Sequence, residues 1–533
     1  MAATLDGSAP AAPTAKAQRG ANRPTYRIAS ALFWRLLGVV YLIAFVSLWT
    51  QICSLVGDNG ILPLADFLAA VEQHFAQHEP PASPVWNVPT LAWISPHDSF
   101  LHLLCAVGTL FSLLLVAGVL PVPMLLGLWL CYLSLLHAGQ VFLSFQWDIL
   151  LLETGFVAMF VAPLVVRSRF LADRHPPLAA LWLVWWLLFR LMFESGVVKL
   201  TWNDLHMGVD GKPAVNTWEL LTALDYHYWT QPLPLRTSWY ADKLPEWFQK
   251  LSVVVVLLIE IILPWFILGP RRARQVACAG IILLMVLIGC TGNYNFFNLL
   301  AIVLAITLLD DKVWPRRLQN RITATEVPVV FSPQPGGNLL LLPFFGLALF
   351  QGLLQVKQAV FPAAPVAQPR EFQVSISQFC LVNDYGLFRR MTQTRPEIEI
   401  EASTDGSDWK PFKFRWKPGE LAEPPGCNTP HQPRLDWQMW FEALRWERVY
   451  EATRRIDPGQ MSPWFQSLLK RLAEGQPQVL ALLAENSQSY GPAKYLRVGL
   501  YQYRFTTAAE AEASGHWWNR ELVWRSPTWS LRP

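Results

Sequence analysis

Long runs of apolar residues recur through the first two thirds of the chain. A helix needs about 20 apolar residues to cross the hydrocarbon core of a bilayer, because its backbone polar groups must all be satisfied internally. Nine runs approach this length, at residues 31–56, 99–119, 124–143, 149–166, 178–200, 251–269, 275–291, 296–309 and 339–361. The pattern predicts a polytopic α-helical membrane bundle of about nine spans.

The pattern changes after residue 361, where apolar runs give way to turns and short alternating segments. Residues 362–369 are rich in proline and predict a linker. Alternation with period two at 397–401, 413–417 and 501–505 predicts strands, and Asp405-Gly406 predicts a hairpin turn. Helical spacing occurs at 435–448 and Pro463–Ala473. Residues 362–533 are therefore expected to form a small β-rich, sandwich-like domain with inserted helices.

Composition agrees with a membrane protein. Hydrophobic residues make up 53% of the chain and charged residues only 15%, against roughly 25% in soluble domains. The net charge of +4 is spread over 43 basic and 39 acidic residues, which is too even for a phosphate-binding surface. Membrane lipids are therefore expected partners, and nucleic acids are not.

The basic residues indicate the orientation, because cytoplasmic loops carry an excess of Lys and Arg. Segments 1–27, 167–174, 271–274 and 312–321 hold fourteen Lys and Arg residues. The alternate loops, 57–98 and 201–250, hold four between them. We therefore expect residues 1–30 to be a disordered cytoplasmic tail, 31–361 a transmembrane domain with these two outer loops, and 362–533 an extracytoplasmic domain.

The seven cysteines include no CxxC pair and no metal-ligand spacing, so we expect neither a metal site nor a cofactor. Cys380 and Cys427 are the two that fall in the exported domain. An oxidising compartment would allow a disulfide between them, and two free thiols are the alternative. The absence of any Asn-x-Ser/Thr sequon favours a bacterial inner membrane over the endoplasmic reticulum.

Ionisable groups inside a span are costly and are therefore candidates for function. The fifth predicted span carries Arg190, Glu194 and Lys199. Arg190 and Glu194 are four residues apart and would form a pair within the helix. Lys199 lies near the outer end, where it would act either as a desolvated amine serving as a base or as a membrane-end anchor.

Other polar residues fall near the span ends. These are His137, Gln140, Asp148, Glu153 and Glu260. They would either line a polar cavity that opens outward or form separate hydrogen bonds that hold the helices together. No Ser/His/Asp order, phosphate-binding glycine loop or HExxH motif accompanies them.

The outer loop 201–250 is long and rich in aromatic residues, which favours either a partner-binding platform or an interfacial aromatic belt. The candidates for partner binding are Tyr226, His227, Tyr228, Trp229 and Trp239.

Several segments, in order, resemble the lipase maturation factor family. They are 146–156 (QWDILLLETGF), 226–234 (YHYWTQPLP), 239–248 (WYADKLPEWF), 292–300 (GNYNFFNLL) with Asp310-Asp311, 395–419, 430–444 (PHQPRLDWQMWFEAL) and Trp517-Trp518-Asn519-Arg520. The resemblance implies a membrane protein that assists the folding of secreted lipases or other exported client proteins. Animal members reside in the endoplasmic reticulum membrane and act through a lumenal C-terminal domain.

Residues 193–200 (FESGVVKL) with Trp202 also resemble vitamin K-dependent carboxylase-like membrane proteins. That likeness implies an alternative: a membrane enzyme acting on a lipid, quinone or peptide, with Lys199 as base and Arg190 or Glu194 orienting it. Because the chain lacks a recognisable catalytic constellation, we favour the folding factor.

Overall fold

The fold is taken from a computed structural model, which describes residues 24–77, 83–168, 176–202, 215–323, 337–364 and 376–530. The tail up to residue 23 and linker residues 365–369 lie outside the described residues, as does the beginning of the 201–250 loop.

A helical bundle forms the N-terminal part, and every predicted span contains a helix. The bundle helices are α1 (Arg27–Trp49), α5 (Asp98–Val116), α6 (Pro121–Ala138), α7 (Gln146–Val161), α8 (Leu178–Thr201), α11 (Glu246–Leu257) continued by a π-helix (Leu258–Ile262) and α12 (Leu263–Ile267), α13 (Arg271–Thr291), α14 (Phe297–Ile306) and α16 (Gly337–Val360). Within the described residues, six helices are long and apolar enough to cross a membrane. Helices α7 and α14 are shorter than a full crossing, at 16 and 10 residues.

Shorter helices connect the bundle. These are α2 (Ile52–Val56), α3 (Leu64–Ala76), α4 (Pro84–Asn87), α9 (Ala223–Thr230), α10 (Arg236–Asp242) and α15 (Arg316–Thr323). Short 3-10 turns occur at Leu91–Trp93, Gln140–Leu143 and Asp311–Val313.

The π-helix has a local cause in the sequence. Pro264 has no backbone N–H and cannot bond the carbonyl of Glu260 four residues earlier, so the regular helix is interrupted there. The widened turn lies against α8 at Gly196, where an added Cβ would stand 2.8 Å from the Cβ of Glu260. Glycine therefore allows α8 to approach the π-helix closely.

One end of the bundle is closed by two aspartates. The Asp311 carboxylate accepts hydrogen bonds from the first helical N–H groups of α1, from Arg27 at 3.2 Å and Ile28 at 2.9 Å. A carboxylate at a helix N-terminus is favoured by the helix dipole. Asp310 pairs with Arg271 at the start of α13. Segments 271–274 and 312–321 lie at this same end, where Arg274 also donates to the hydroxyl of Tyr26 at 2.8 Å.

The C-terminal part contains one antiparallel sheet and several helices. Its strands are β1 (Pro396–Ser403), β2 (Lys410–Pro411), β3 (Tyr495–Phe505), β4 (Trp518–Arg525) and β5 (Trp529–Ser530). The order is β2-β1-β3-β4, with β5 also pairing with β3. The helices are α17 (Arg434–Thr453), α18 (Pro463–Ala473), α19 (Pro477–Leu480), α20 (Glu485–Gln488) and α21 (Ala508–Ser514), with a 3-10 turn at Pro458–Gln460.

The sandwich prediction is wrong for the described residues. They contain one sheet, and α17 packs on β1 in the place where a second sheet was expected. Ile398 and Ile400 are buried on this face beside Trp446 of the helix. The strand predicted at 413–417 is also absent, because Asp436 binds the N–H groups of Trp416 and Lys417 and turns the chain away from the sheet. The hairpin at Asp405-Gly406 and both predicted helices are confirmed.

Candidate functional site

The C-terminal domain packs on the bundle end opposite Asp310 and Asp311, and buried polar contacts join the two parts. Arg434, at the start of α17, donates to both oxygens of Asp148, at 2.5 and 2.8 Å. Tyr132 donates to the same carboxylate at 2.6 Å. A buried ion pair is stabilised by hydrogen bonds to its remaining polar atoms. Both oxygens of Asp148 and both terminal nitrogens of Arg434 have such partners, and Nε of Arg434 has none within the described residues.

A second contact joins Glu153 of α7 to the segment 376–391 that precedes β1. The carboxylate accepts hydrogen bonds from the N–H of Asn383 at 2.8 Å and the hydroxyl of Tyr385 at 2.8 Å. It also pairs with Arg190, which donates to the carbonyl of Asn383 at 2.7 Å. The predicted pair between Arg190 and Glu194 is wrong, because Glu153 takes the guanidinium and Glu194 accepts the N–H of Tyr385 at 3.0 Å.

Lys199 forms a third contact between the bundle and the 376–391 segment. Its ammonium donates to Glu260 at 2.6 Å, to the carbonyl of Ser195 at 3.0 Å and to the carbonyl of Leu387 at 3.1 Å. Only 2% of the residue is exposed, so the membrane-end anchor is wrong: Lys199 faces inward. An ammonium has three N–H donors, and all three have acceptors. This geometry favours a structural cation over a free amine acting as base.

The polar residues near the span ends do not share one cavity. His137 bonds the carbonyl of Gln378 at 2.8 Å, and Gln140 donates to the carbonyl of Leu62 at 3.2 Å. Asp148, Glu153 and Glu260 each have a different cation. Three of the five, His137, Asp148 and Glu153, bind the C-terminal part of the chain. The polar cluster is therefore largely an interdomain contact.

Three residues that complete these contacts were not predicted as site residues: Asn383, Tyr385 and Arg434. The charge balance of the spans offered a signal for some of them. Within the fourth to sixth predicted spans, Asp148 at the start of the fourth included, there are four acids but only two cations, Arg190 and Lys199. A further cation therefore had to come from elsewhere. The structure supplies this cation from α17.

The aromatic loop packs against the C-terminal domain. His227 and Tyr228 are buried, Tyr226 and Trp229 are partly buried, and Trp239 lies against Trp517 with ring centroids 5.4 Å apart. Arg395, which was not predicted as a site residue, adds further contacts: its guanidinium donates to the carbonyls of Trp229, Gln231 and Pro232. The exposed aromatic side chains of the described part of the loop are instead Tyr240, Trp247 and Phe248, at 55%, 67% and 39%.

A largely apolar cavity of about 80 Å³ lies beside Lys199. Helices α8, α9, α11 and α13 contribute to its wall, together with the π-helix and Phe388 of the 376–391 segment. His227 and Tyr294 also line it. Burial and the charge of Lys199 lower the pKa of His227 to about 4, so this imidazole is neutral at neutral pH.

The hydrogen bonds assign the tautomer of His227. Gln231 donates its amide N–H groups to the carbonyls of Tyr228 and Thr291, so its oxygen accepts from Tyr294 at 2.7 Å. With its single proton used, Tyr294 receives the Nε2–H of His227 at 3.4 Å. The Nδ1 atom of His227 is then an acceptor, and it has no partner within the described residues.

Both candidate disulfide cysteines are free thiols in the structure. Cys380 is buried against the bundle near Glu153, and burial raises the pKa of its thiol to about 12. Cys427 is exposed in the loop that binds Asn293. The disulfide is absent because the two thiols are held in different contacts with the bundle. Within the described residues, no group of His, Cys, Asp and Glu side chains could hold a metal ion.

The fold defines an integral membrane protein whose helical bundle carries a folded domain at one end. The family model described as lipase maturation factor transmembrane domain matches residues 28–316, and the lipase maturation factor C-terminal domain matches 381–526. The chain belongs to the lipase maturation factor family.

Individual lipase maturation factors align with most of the chain. Lipase maturation factor 2 of Xenopus laevis is 35% identical, with 93% of this chain and 81% of that protein aligned. The Gallus gallus protein of that name is 36% identical over 92% and 80%. Lipase maturation factor 1 of Bos taurus is 29% identical over 96% and 92%. No solved structure matches the chain.

Proposed function

We propose that this protein is a membrane-anchored factor that assists the folding of secreted lipases or other exported proteins. The observation that carries the proposal is that buried ion pairs link the bundle to the C-terminal part. Arg190, Lys199 and Arg434 each pair with a carboxylate, and each also contacts both the bundle and the C-terminal part. These groups hold a domain in a fixed position at the end of the bundle. The family membership makes a client protein the expected partner of that domain.

The proposed topology has about nine spans, with a cytoplasmic tail at 1–30, a membrane domain at 31–361 and an extracytoplasmic domain at 362–533. The basic segments 271–274 and 312–321 and the C-terminal domain lie at opposite ends of the bundle, which supports this topology. We place the protein in a bacterial inner membrane, or in the endoplasmic reticulum membrane of a eukaryote.

Cys427 offers a test of this orientation, since it is exposed in the C-terminal domain. A variant that keeps only this cysteine should react with a membrane-impermeant maleimide in spheroplasts without lysis. Reaction only after lysis would reverse the proposed orientation.

The proposed client surface is the exposed edge of the aromatic loop. Tyr240 lies 6.2 Å from Trp517, between ring centroids, so this edge is continuous with the C-terminal sheet. Leu244 and Trp247 are exposed beside it in sequence. Exposed apolar groups next to a rigid domain are typical of a surface that binds another protein.

The deciding experiment measures the specific activity of a secreted lipase, per mass of lipase, in host cells that lack this gene. The wild-type chain should restore it, and the double variant Tyr240→Ser/Trp247→Ser should not. Trp86→Ser is the matched control, because Trp86 is 56% exposed in the other outer loop. Unchanged lipase activity on deletion would refute the lipase client. Full rescue by the double variant at normal protein levels would refute the proposed surface.

A further inference from the structure

The cavity beside Lys199 suggests a role beyond client binding, because its position and chemistry indicate a ligand. It lies where α8, the π-helix and α13 meet the aromatic loop. Its wall is formed chiefly by hydrocarbon and aromatic groups, including Leu191, Met192, Val256 and Met285. Pockets of this kind select apolar ligands.

The outer side of the cavity borders the surface that would face lipid. Val256 and Ile288 are wall residues that are only partly buried. Their neighbours Val255, Leu258 and Leu287 are exposed, at 37%, 49% and 52%. The hydrocarbon nearest to this wall is therefore the acyl chain of a membrane lipid.

The polar groups of the wall limit the ligand further. Lys199 already donates to three acceptors, and Glu260 neutralises its charge. No ammonium donor remains for a carboxylate or phosphate head group. Among the described wall residues, the polar atoms without a partner are Nε1 of Trp147, Nδ1 of His227 and Oγ of Ser195, all buried and uncharged. The site therefore fits an uncharged chain.

We propose that this cavity binds one acyl chain of a membrane lipid, which enters from the side of α11 and α13. The bound chain fills the space between the bundle and Phe388 of the 376–391 segment. Since this segment connects to β1, lipid binding supports the position of the C-terminal domain. Lipid binding at this cavity does not depend on which client protein the C-terminal domain binds.

Photocrosslinking tests the proposal directly. The full-length protein is reconstituted in nanodiscs containing a phosphatidylcholine with a diazirine near the end of one acyl chain, and labelled peptides are mapped by mass spectrometry. We expect label on Met192 or Met285 in addition to the exposed surface of α13. Label confined to exposed residues such as Leu287 would overturn the proposal.

Variants that fill the cavity give a second measurement. Ser195→Leu on α8 and Leu224→Phe on α9 both enlarge wall residues, and each should lower cavity labelling roughly tenfold relative to surface labelling. Ser252→Leu is the matched control, since Ser252 lies on α11 outside the wall. Cavity labelling that is unchanged in both filled variants would overturn the proposal. Should either variant fail to fold, the wild-type map decides alone.

Discussion

Arg434 and Asp148 are 286 residues apart in the chain, yet the guanidinium of Arg434 donates to both carboxylate oxygens of Asp148. The arginine begins a helix of the C-terminal domain, and the aspartate lies in the first turn of α7. Both side chains are fully buried, at 1% and 0% exposure. The pair therefore joins the two parts of the molecule at a place that water does not reach.

Removing one partner of this pair should separate the domains. Arg434→Met leaves Asp148 buried without a cation, which costs about 3–5 kcal/mol. We expect a lower melting temperature in detergent and faster proteolytic cleavage between the bundle and the sheet. Replacing both partners, as Asp148→Leu with Arg434→Met, should recover most of the loss, because no buried charge remains.

The matched control is Arg455→Met, which removes an arginine from an exposed pair with Asp457. Its melting temperature should equal that of the wild type. Equal effects of Arg434→Met and Arg455→Met would contradict the assigned role of the buried pair.

The role of Lys199 can be separated from catalysis by a paired substitution. Lys199→Met alone leaves Glu260 buried without its cation and should lower both stability and lipase maturation. Adding Glu260→Leu removes the orphaned charge, so we expect the double variant to recover both properties. A lysine that acts as a base cannot be replaced in this way. Lipase specific activity and melting temperature are the two measurements, and recovered stability without recovered maturation would favour the enzyme.

The close approach of α8 to the π-helix predicts opposite effects for the same substitution at two glycines. A Cβ at Gly196 would stand 2.7 Å from Ile261 and 3.0 Å from the backbone of Glu260. Gly196→Ala should therefore destabilise the protein by about 1–3 kcal/mol. Gly346 lies inside α16 with nothing within 4 Å of such a Cβ. Gly346→Ala should stabilise that helix by about 0.5–1 kcal/mol. Thermal unfolding in detergent measures the stability of both variants. A destabilised Gly346→Ala would contradict the open space beside Gly346.

Buried His227 should make the stability sensitive to acid. Its pKa is about 4 in the folded protein and about 6.5 when unfolded, so the unfolded chain binds more protons between these values. Stability should be complete above about pH 6.5 and fall as the pH drops towards 4, by up to about 3 kcal/mol.

The measurement compares melting temperatures at pH 7.5 and pH 5 for the wild type and His227→Leu. The variant should lose part of this pH dependence, and the remainder is expected from His431, whose pKa burial also lowers to about 4. His516→Leu, at a partly exposed histidine, serves as the control. An unchanged pH dependence in His227→Leu would contradict the neutral buried imidazole.

The apolar runs determined the bundle, because a helix in lipid must satisfy its own backbone and needs a nearly continuous apolar stretch to do so. Strong local signals also placed the strands at 397–401 and 501–505 and both helices of the C-terminal domain. The motifs identified the family, which the comparisons confirm.

The partners of the buried charges were decided only by tertiary structure. Helical spacing favoured Arg190 with Glu194, but Glu153 of another helix offers the guanidinium a carboxylate that three further donors also orient. Nothing local to Lys199 indicates Glu260, which a proline-interrupted helix brings within 2.6 Å. Ion pairs form between groups that packing brings together, and packing depends on contacts hundreds of residues apart. Sequence alone predicted the apolar segments that form the helical bundle, while the fold determined that their charges hold the C-terminal domain in place.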